Sequence, residues 1–97
     1  MDTTQEILNK LKLCKEMLAE KYGIEQLGLF GSSARNEQNE DSDIDIVVKM
    51  KHPNLLTRLS LRIELEKFLN RRVDLISLHE HLFKDFLQNV ERDAIYV

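Results

Sequence analysis

Asp43 and Asp45, in Ser42-Asp43-Ile44-Asp45-Ile46-Val47-Val48, and Asp74, in Val73-Asp74-Leu75-Ile76, sit within runs of strand-forming residues. Residues two apart on a strand point to the same face, so Asp43 and Asp45 present two carboxylates with Cα atoms roughly 7 Å apart. Like charges flanked by apolar residues are costly to hold together unless a cation lies between them. Carboxylate oxygens suit Mg2+, which keeps its remaining positions for water and substrate phosphates. Asp74, if its strand lies beside the Asp45 strand, adds a third carboxylate. That is enough to hold a second metal ion and activate a hydroxyl for in-line displacement at phosphorus. Gly31-Ser32 falls where a strand ends and a short helix is expected. Glycine there lets the backbone approach a phosphate, and the serine hydroxyl and helix N–H groups can donate to it.

The elements that must position these groups follow from periodicity. Ile7, Leu11, Cys14 and Leu18 form the stripe of an amphipathic helix over Thr3 to Tyr22, opened by a Thr3/Glu6 capping box and stopped by Gly23. Cys14 within that stripe reads as a small buried hydrophobe. Leu27-Gly28-Leu29-Phe30 suits a strand buried on both faces, and Ile44 to Val48 a β-branched second strand. After the Pro53-Asn54 turn, Leu55, Leu56, Leu59, Ile63 and Phe68 follow helical spacing through to Leu69, where Asn70-Arg71-Arg72 breaks the pattern. Val73 to Ile76 is a third strand. Ser77-Leu78-His79-Glu80 reads as a capping box opening a helix with Leu82, Phe83, Phe86, Leu87 and Val90. Ala94 to Val97 is an apolar tail able to dock on the core. The fold class is α/β (α+β), a small mixed sheet flanked by helices in the order α-β-(short α)-β-α-β-α, in one domain over residues 1–97.

Gly31-Ser32, a following Arg35, Ser42-Asp43-x-Asp45 and a later Val73-Asp74-Leu75 together resemble the nucleotidyltransferase superfamily of DNA polymerase beta. The brevity of the chain resembles its minimal nucleotidyltransferase branch, the MNT antitoxin-type proteins. The resemblance implies transfer of a nucleoside monophosphate, AMP from ATP, to an acceptor hydroxyl. It implies metal binding and catalysis by Asp43, Asp45 and Asp74, with one or two Mg2+ ions as cofactor. Gly31 and Ser32 would hold the terminal phosphates, and Arg35 would contact phosphate or brace the loop. Ser33 and Asn36 stand where the family often has a bulky residue and a glycine; asparagine also tolerates left-handed backbone angles. The branch further implies a HEPN-type toxin as protein partner, neutralised by adenylylation. A binding module of the same fold that neutralises its partner by occlusion alone is the alternative, and a cluster of three anions speaks against it.

Ninety-seven residues make one small domain burying roughly 60–65% of its unfolded surface. No window approaches a membrane span and the N-terminus lacks signal-peptide character, so the expected compartment is the cytoplasm. One cysteine excludes an internal disulfide and a multi-Cys zinc site. Fourteen Lys and Arg against seventeen Asp and Glu give a net charge of −3, which works against tight non-specific nucleic-acid binding. Glu37, Glu40 and Asp41 read as a solvated loop. His79 and His81, two apart on a helix, do not face one another as metal ligands would. Arg71 and Arg72 read first as a favourable helix ending, with contact to a phosphate or an acidic partner as the second reading. Surplus apolar surface for a partner is expected at Leu61, Leu65 and Ile95-Tyr96-Val97.

Overall fold

The computed structural model describes residues 4–31, 34, 43–78 and 84–97. In chain order the elements are α1 (Thr4–Tyr22), β1 (Ile24–Leu29), β2 (Ile44–Met50), α2 (Leu55–Leu69), β3 (Val73–Ser77), α3 (Lys84–Asp93) and β4 (Ile95–Tyr96). The strands form a mixed sheet in the order β3-β2-β1-β4. β1 runs antiparallel to both its neighbours, while β2 and β3 are parallel and joined across one face by α2. A parallel pair needs such a crossover, because a tight turn can join only antiparallel strands.

Alternation along β2 builds the core. Ile44, Ile46, Val48 and Met50 face α1 and α2 and pack with Leu27, Leu29, Val73 and Leu75, against Ile7, Leu11 and Cys14 of α1 and Leu61, Leu65 and Leu69 of α2. Each of the larger aliphatics contributes about 1.5–3 kcal/mol through burial. The residues between them on β2, Asp45 and Lys49, turn to the other face, where Val47 is also fully buried. This alternation separates the aspartate from the aliphatic layer. α1 ends at Gly23, whose φ of 65° no β-branched residue would adopt cheaply. Asn54 caps α2 by accepting from the Leu56 and Thr57 amides, and Asn70 ends it in the left-handed conformation.

Several expectations need correction. On α2, Leu61 and Leu65 are fully buried, so they are not surplus surface. Leu55, Leu56, Leu59, Ile63 and Phe68 point outward instead, with Leu56 73% exposed. The helix is apolar nearly all round, so spacing permitted two faces, and packing on the sheet selects the 61–65–69 stripe. β1 begins three positions earlier than its apolar run, because a register irregularity between Ile24 and Gln26 brings Ile24 inward past the polar pair Glu25-Gln26. Ser77 is the last residue of β3 rather than a helix cap, and its Oγ is buried without a hydrogen-bond partner.

The apolar tail does dock. Ile95 and Tyr96 pair with β1 as a fourth strand, the Val97 amide donates to the Leu27 carbonyl, and Lys15 Nζ reaches the Val97 carbonyl at 2.8 Å. Ile95 and Tyr96 are 37% and 38% exposed. The short helix after β1 falls mainly on residues outside those described, as do Thr3, Ser33, Asn36, Glu37, Glu40, Asp41, His79, Glu80, His81, Leu82 and Phe83. No helix among the described residues is long and apolar enough to cross a membrane.

Candidate functional site

The parallel register of β2 and β3 pairs Asp45 directly with Asp74. Directly paired residues of neighbouring strands share a face, so the two carboxylates are neighbours on the face that the aliphatic core does not use. Asp43 stands two residues before Asp45, at the mouth of the same strand. The pairing on which the three-aspartate expectation depended is therefore present. Asp43 and Asp74 are exposed and Asp45 is half-buried.

Two features pin these strand ends. The Ile44 amide donates to the Arg72 carbonyl at 2.9 Å, and the Val73 amide donates to Glu66 Oε2 at 2.9 Å. Glu66 thus ties the last turn of α2 to the residue preceding Asp74. On the other side of β2, the Phe30 amide donates to the Asp45 carbonyl at 3.0 Å, which brings Gly31 over the Asp45 side chain. A Cβ at position 31 would lie 2.6 Å from Asp45 Oδ2, and Gly31 has φ 69°. Only glycine satisfies both the left-handed backbone and the close approach to the carboxylate. Gly31 is thereby a wall of the site. Ser32 and Arg35 lie outside the described residues.

Arg72 is the residue whose place sequence reasoning missed. Its Nε lies 3.3 Å from Asp43 Oδ1, with the two side chains 76% and 50% exposed. Arg72 thus meets an acidic group of its own chain. One signal could have found it: in a parallel pair with Asp45 beside Asp74, the residues two positions earlier, Asp43 and Arg72, also fall side by side. Glu66 carried no such signal.

The donor set suits a hard divalent ion, since its groups are carboxylate oxygens at the end of a sheet beside a backbone glycine. Among the described residues, no group of three or more His, Cys, Asp or Glu side chains forms a ready cage for a metal ion. Asp43 is instead engaged by Arg72. Cys14 takes no part in this chemistry. It is 1% exposed, and burial, with a smaller push from the Glu64 charge, raises its thiol pKa to about 11, so it stays protonated and unreactive at neutral pH. An open groove of about 270 Å³ between α1 and α2, lined by Cys14, Met17, Leu18, Glu64, Lys67 and Phe68, contains none of the site residues.

The arrangement matches known proteins over nearly its whole length. Protein adenylyltransferase MntA of Thermococcus cleftensis is 39% identical over 98 residues, covering 100% of this chain and 98% of that protein. The solved structure of a protein provisionally described as a minimal nucleotidyltransferase superposes with a TM-score of 0.82 at 30% identity, covering 97% of this chain and 95% of the other. A toxin–antitoxin crystal structure with AMP-PNP gives a TM-score of 0.74 at 26% identity, over 91% of this chain and 69% of that one. The family described as polymerase beta, nucleotidyltransferase, matches residues 12–97. With its mixed sheet and its paired strand aspartates, the chain belongs to the polymerase beta nucleotidyltransferase family and is a nucleotidyltransferase of the minimal type.

Proposed function

We propose that this nucleotidyltransferase moves AMP from ATP to a hydroxyl of a protein partner, and that the partner is a HEPN-type toxin for which the chain is the antitoxin. The observation that carries the site is the Asp45–Asp74 pairing with Gly31 packed on the Asp45 carboxylate. The acceptor is supported by the relative named protein adenylyltransferase and a toxin partner by the toxin–antitoxin neighbour, the HEPN type resting on the family resemblance. The working compartment on this reading is the cytoplasm.

Asp43, Asp45 and Asp74 would hold one or two Mg2+ ions. When bound, Mg2+ supplies charge neutralisation to the triphosphate and lowers the cost of ionising the acceptor. Gly31 and Ser32 would bind the terminal phosphates, the glycine backbone able to come close where a side chain would not fit, and Arg35 would contact phosphate or brace the loop. Asp74, beside Asp45 at the sheet edge, orients the acceptor hydroxyl and favours loss of its proton. The acceptor oxygen forms a bond to the α-phosphorus, and the bond from that phosphorus to the oxygen bridging to the β-phosphate breaks. Pyrophosphate leaves with the electron pair, and the hydroxyl proton passes to the Asp74 carboxylate or to water.

The test is to incubate the protein with Mg2+, ATP and the product of the adjacent gene, and weigh that product. A mass gain of one AMP or more, lost with Asp43→Asn plus Asp45→Asn, supports the proposal. No gain, or a gain that survives the double substitution, contradicts it. Neutralisation of the partner without any mass gain would identify an occluding binder of the same fold.

A further inference from the structure

The β2–β3 register arranges the site in two rows, Asp45 beside Asp74 and, one alternation earlier, Asp43 beside Arg72. We propose that Arg72 is a placeholder cation: its guanidinium holds the Asp43 carboxylate while no divalent ion is bound, and must release it for the ion to enter. Arg72 would thereby set the divalent affinity of the nucleotide-free site. The inference rests on the reading of Asp43 as a metal ligand.

Three observations carry it. The Arg72 backbone is fixed at the site, since its carbonyl accepts from the Ile44 amide at 2.9 Å. Its side chain meets the Asp43 carboxylate, with Nε 3.3 Å from Oδ1. Both partners are largely exposed, so the pair is weak enough to exchange: an exposed ion pair gains little over its hydrated components. A buried pair in the same place would lock the ligand away. An exposed one keeps Asp43 aligned and neutralised yet yields to a doubly charged ion. Arg72 is on this account a positioning residue, acting through Asp43.

The measurement is the affinity of the nucleotide-free protein for Mn2+, titrated by electron paramagnetic resonance, for wild type, Arg72→Ala, Asp43→Asn and the double variant. Arg72→Gln serves as a second probe should the alanine variant fold poorly, and melts in chelator check the fold of each. Loss of the competing guanidinium should tighten Mn2+ binding about two- to fivefold, the range that loss of an exposed ion pair allows. The gain should vanish, or shrink to less than half, in the Asp43→Asn background. Unchanged or weaker binding in Arg72→Ala and Arg72→Gln overturns the placeholder role, as does an equal gain in the Asp43→Asn background, which would assign it to the general field. If Asp43→Asn alone leaves Mn2+ affinity unchanged, the metal-ligand reading of Asp43 itself fails, and that outcome is separable from the other two.

Discussion

Two polar clusters in this molecule each set carboxylates beside a basic side chain, and they differ in how many carboxylates they bring together. Where α1 meets α2, one carboxylate has two donors: Glu64 accepts from the Tyr22 hydroxyl and lies 3.5 Å from Lys21 Nζ. Each group is tuned toward the pair. The Tyr22 hydrogen bond, with help from Lys21, holds Glu64 below its ordinary pKa, and the Tyr22 hydrogen bond and the Glu64 charge hold Lys21 above its own. At the end of β2 and β3, the register sets Asp45 beside Asp74, and Asp43 pairs with Arg72. The first cluster is complete as it stands and staples two helices. The second presents carboxylates at the end of the sheet, and on the proposed reading an added cation is what balances them.

The largest expected separation between the clusters comes from substitutions in each. Asp45→Asn should lower AMP transfer by about a thousandfold, the scale of losing several kcal/mol of charge stabilisation, with no fall in Tm. Gly31→Ala follows: the added Cβ meets the Asp45 carboxylate and the backbone at φ 69° disfavours alanine. It should cost transfer about a hundredfold and lower Tm by about 4–8 °C, the equivalent of ~1 kcal/mol in a domain of this size. Tyr22→Phe should do the reverse, lowering Tm by about 4 °C while leaving transfer within about twofold. A loss of transfer in Tyr22→Phe would show the clusters to be coupled.

The smallest effect is in pH dependence. Because the folded-state pKa of Glu64 is depressed, its contribution is present above the ordinary value of 4.5 and is lost as pH falls through the lower folded value. Melting curves from pH 7 downward should therefore show a steeper acid loss in wild type than in Tyr22→Phe. At the alkaline end the sign is opposite. Cys14, raised to about 11, contributes stability that is present below 9.0 and lost as pH rises toward 11.

The aspartates announced themselves because strand alternation is a period of two, and Asp43, Asp45 and Asp74 interrupt β-branched runs in phase with it. The α2 limits, Leu55 to Leu69, were legible for the same kind of reason, since Asn54 and Asn70 are strong punctuation at its two ends. Which face of α2 is buried was not, because leucines on nearly every side leave the period without a direction. β4 was read only as a docking tail: two residues are too few for alternation to register, and its identity comes from pairing with Gly28 and Leu29. The partnership of Asp43 with Arg72 depends on parallel register, which is a property of two strands and not of either sequence alone.

The central claim is that the paired aspartates bind a metal–nucleotide complex, and a thermal melt addresses it without any partner protein. A ligand bound only by the native state raises Tm through linkage, by about 2.7 kcal/mol of stability at a hundred times its Kd. Mg2+ with a non-hydrolysable ATP analogue should therefore raise the Tm of the wild type by several degrees and leave that of Asp45→Asn unmoved. Superimposable wild-type curves with and without the ligands, or an equal rise in Asp45→Asn, would contradict the account.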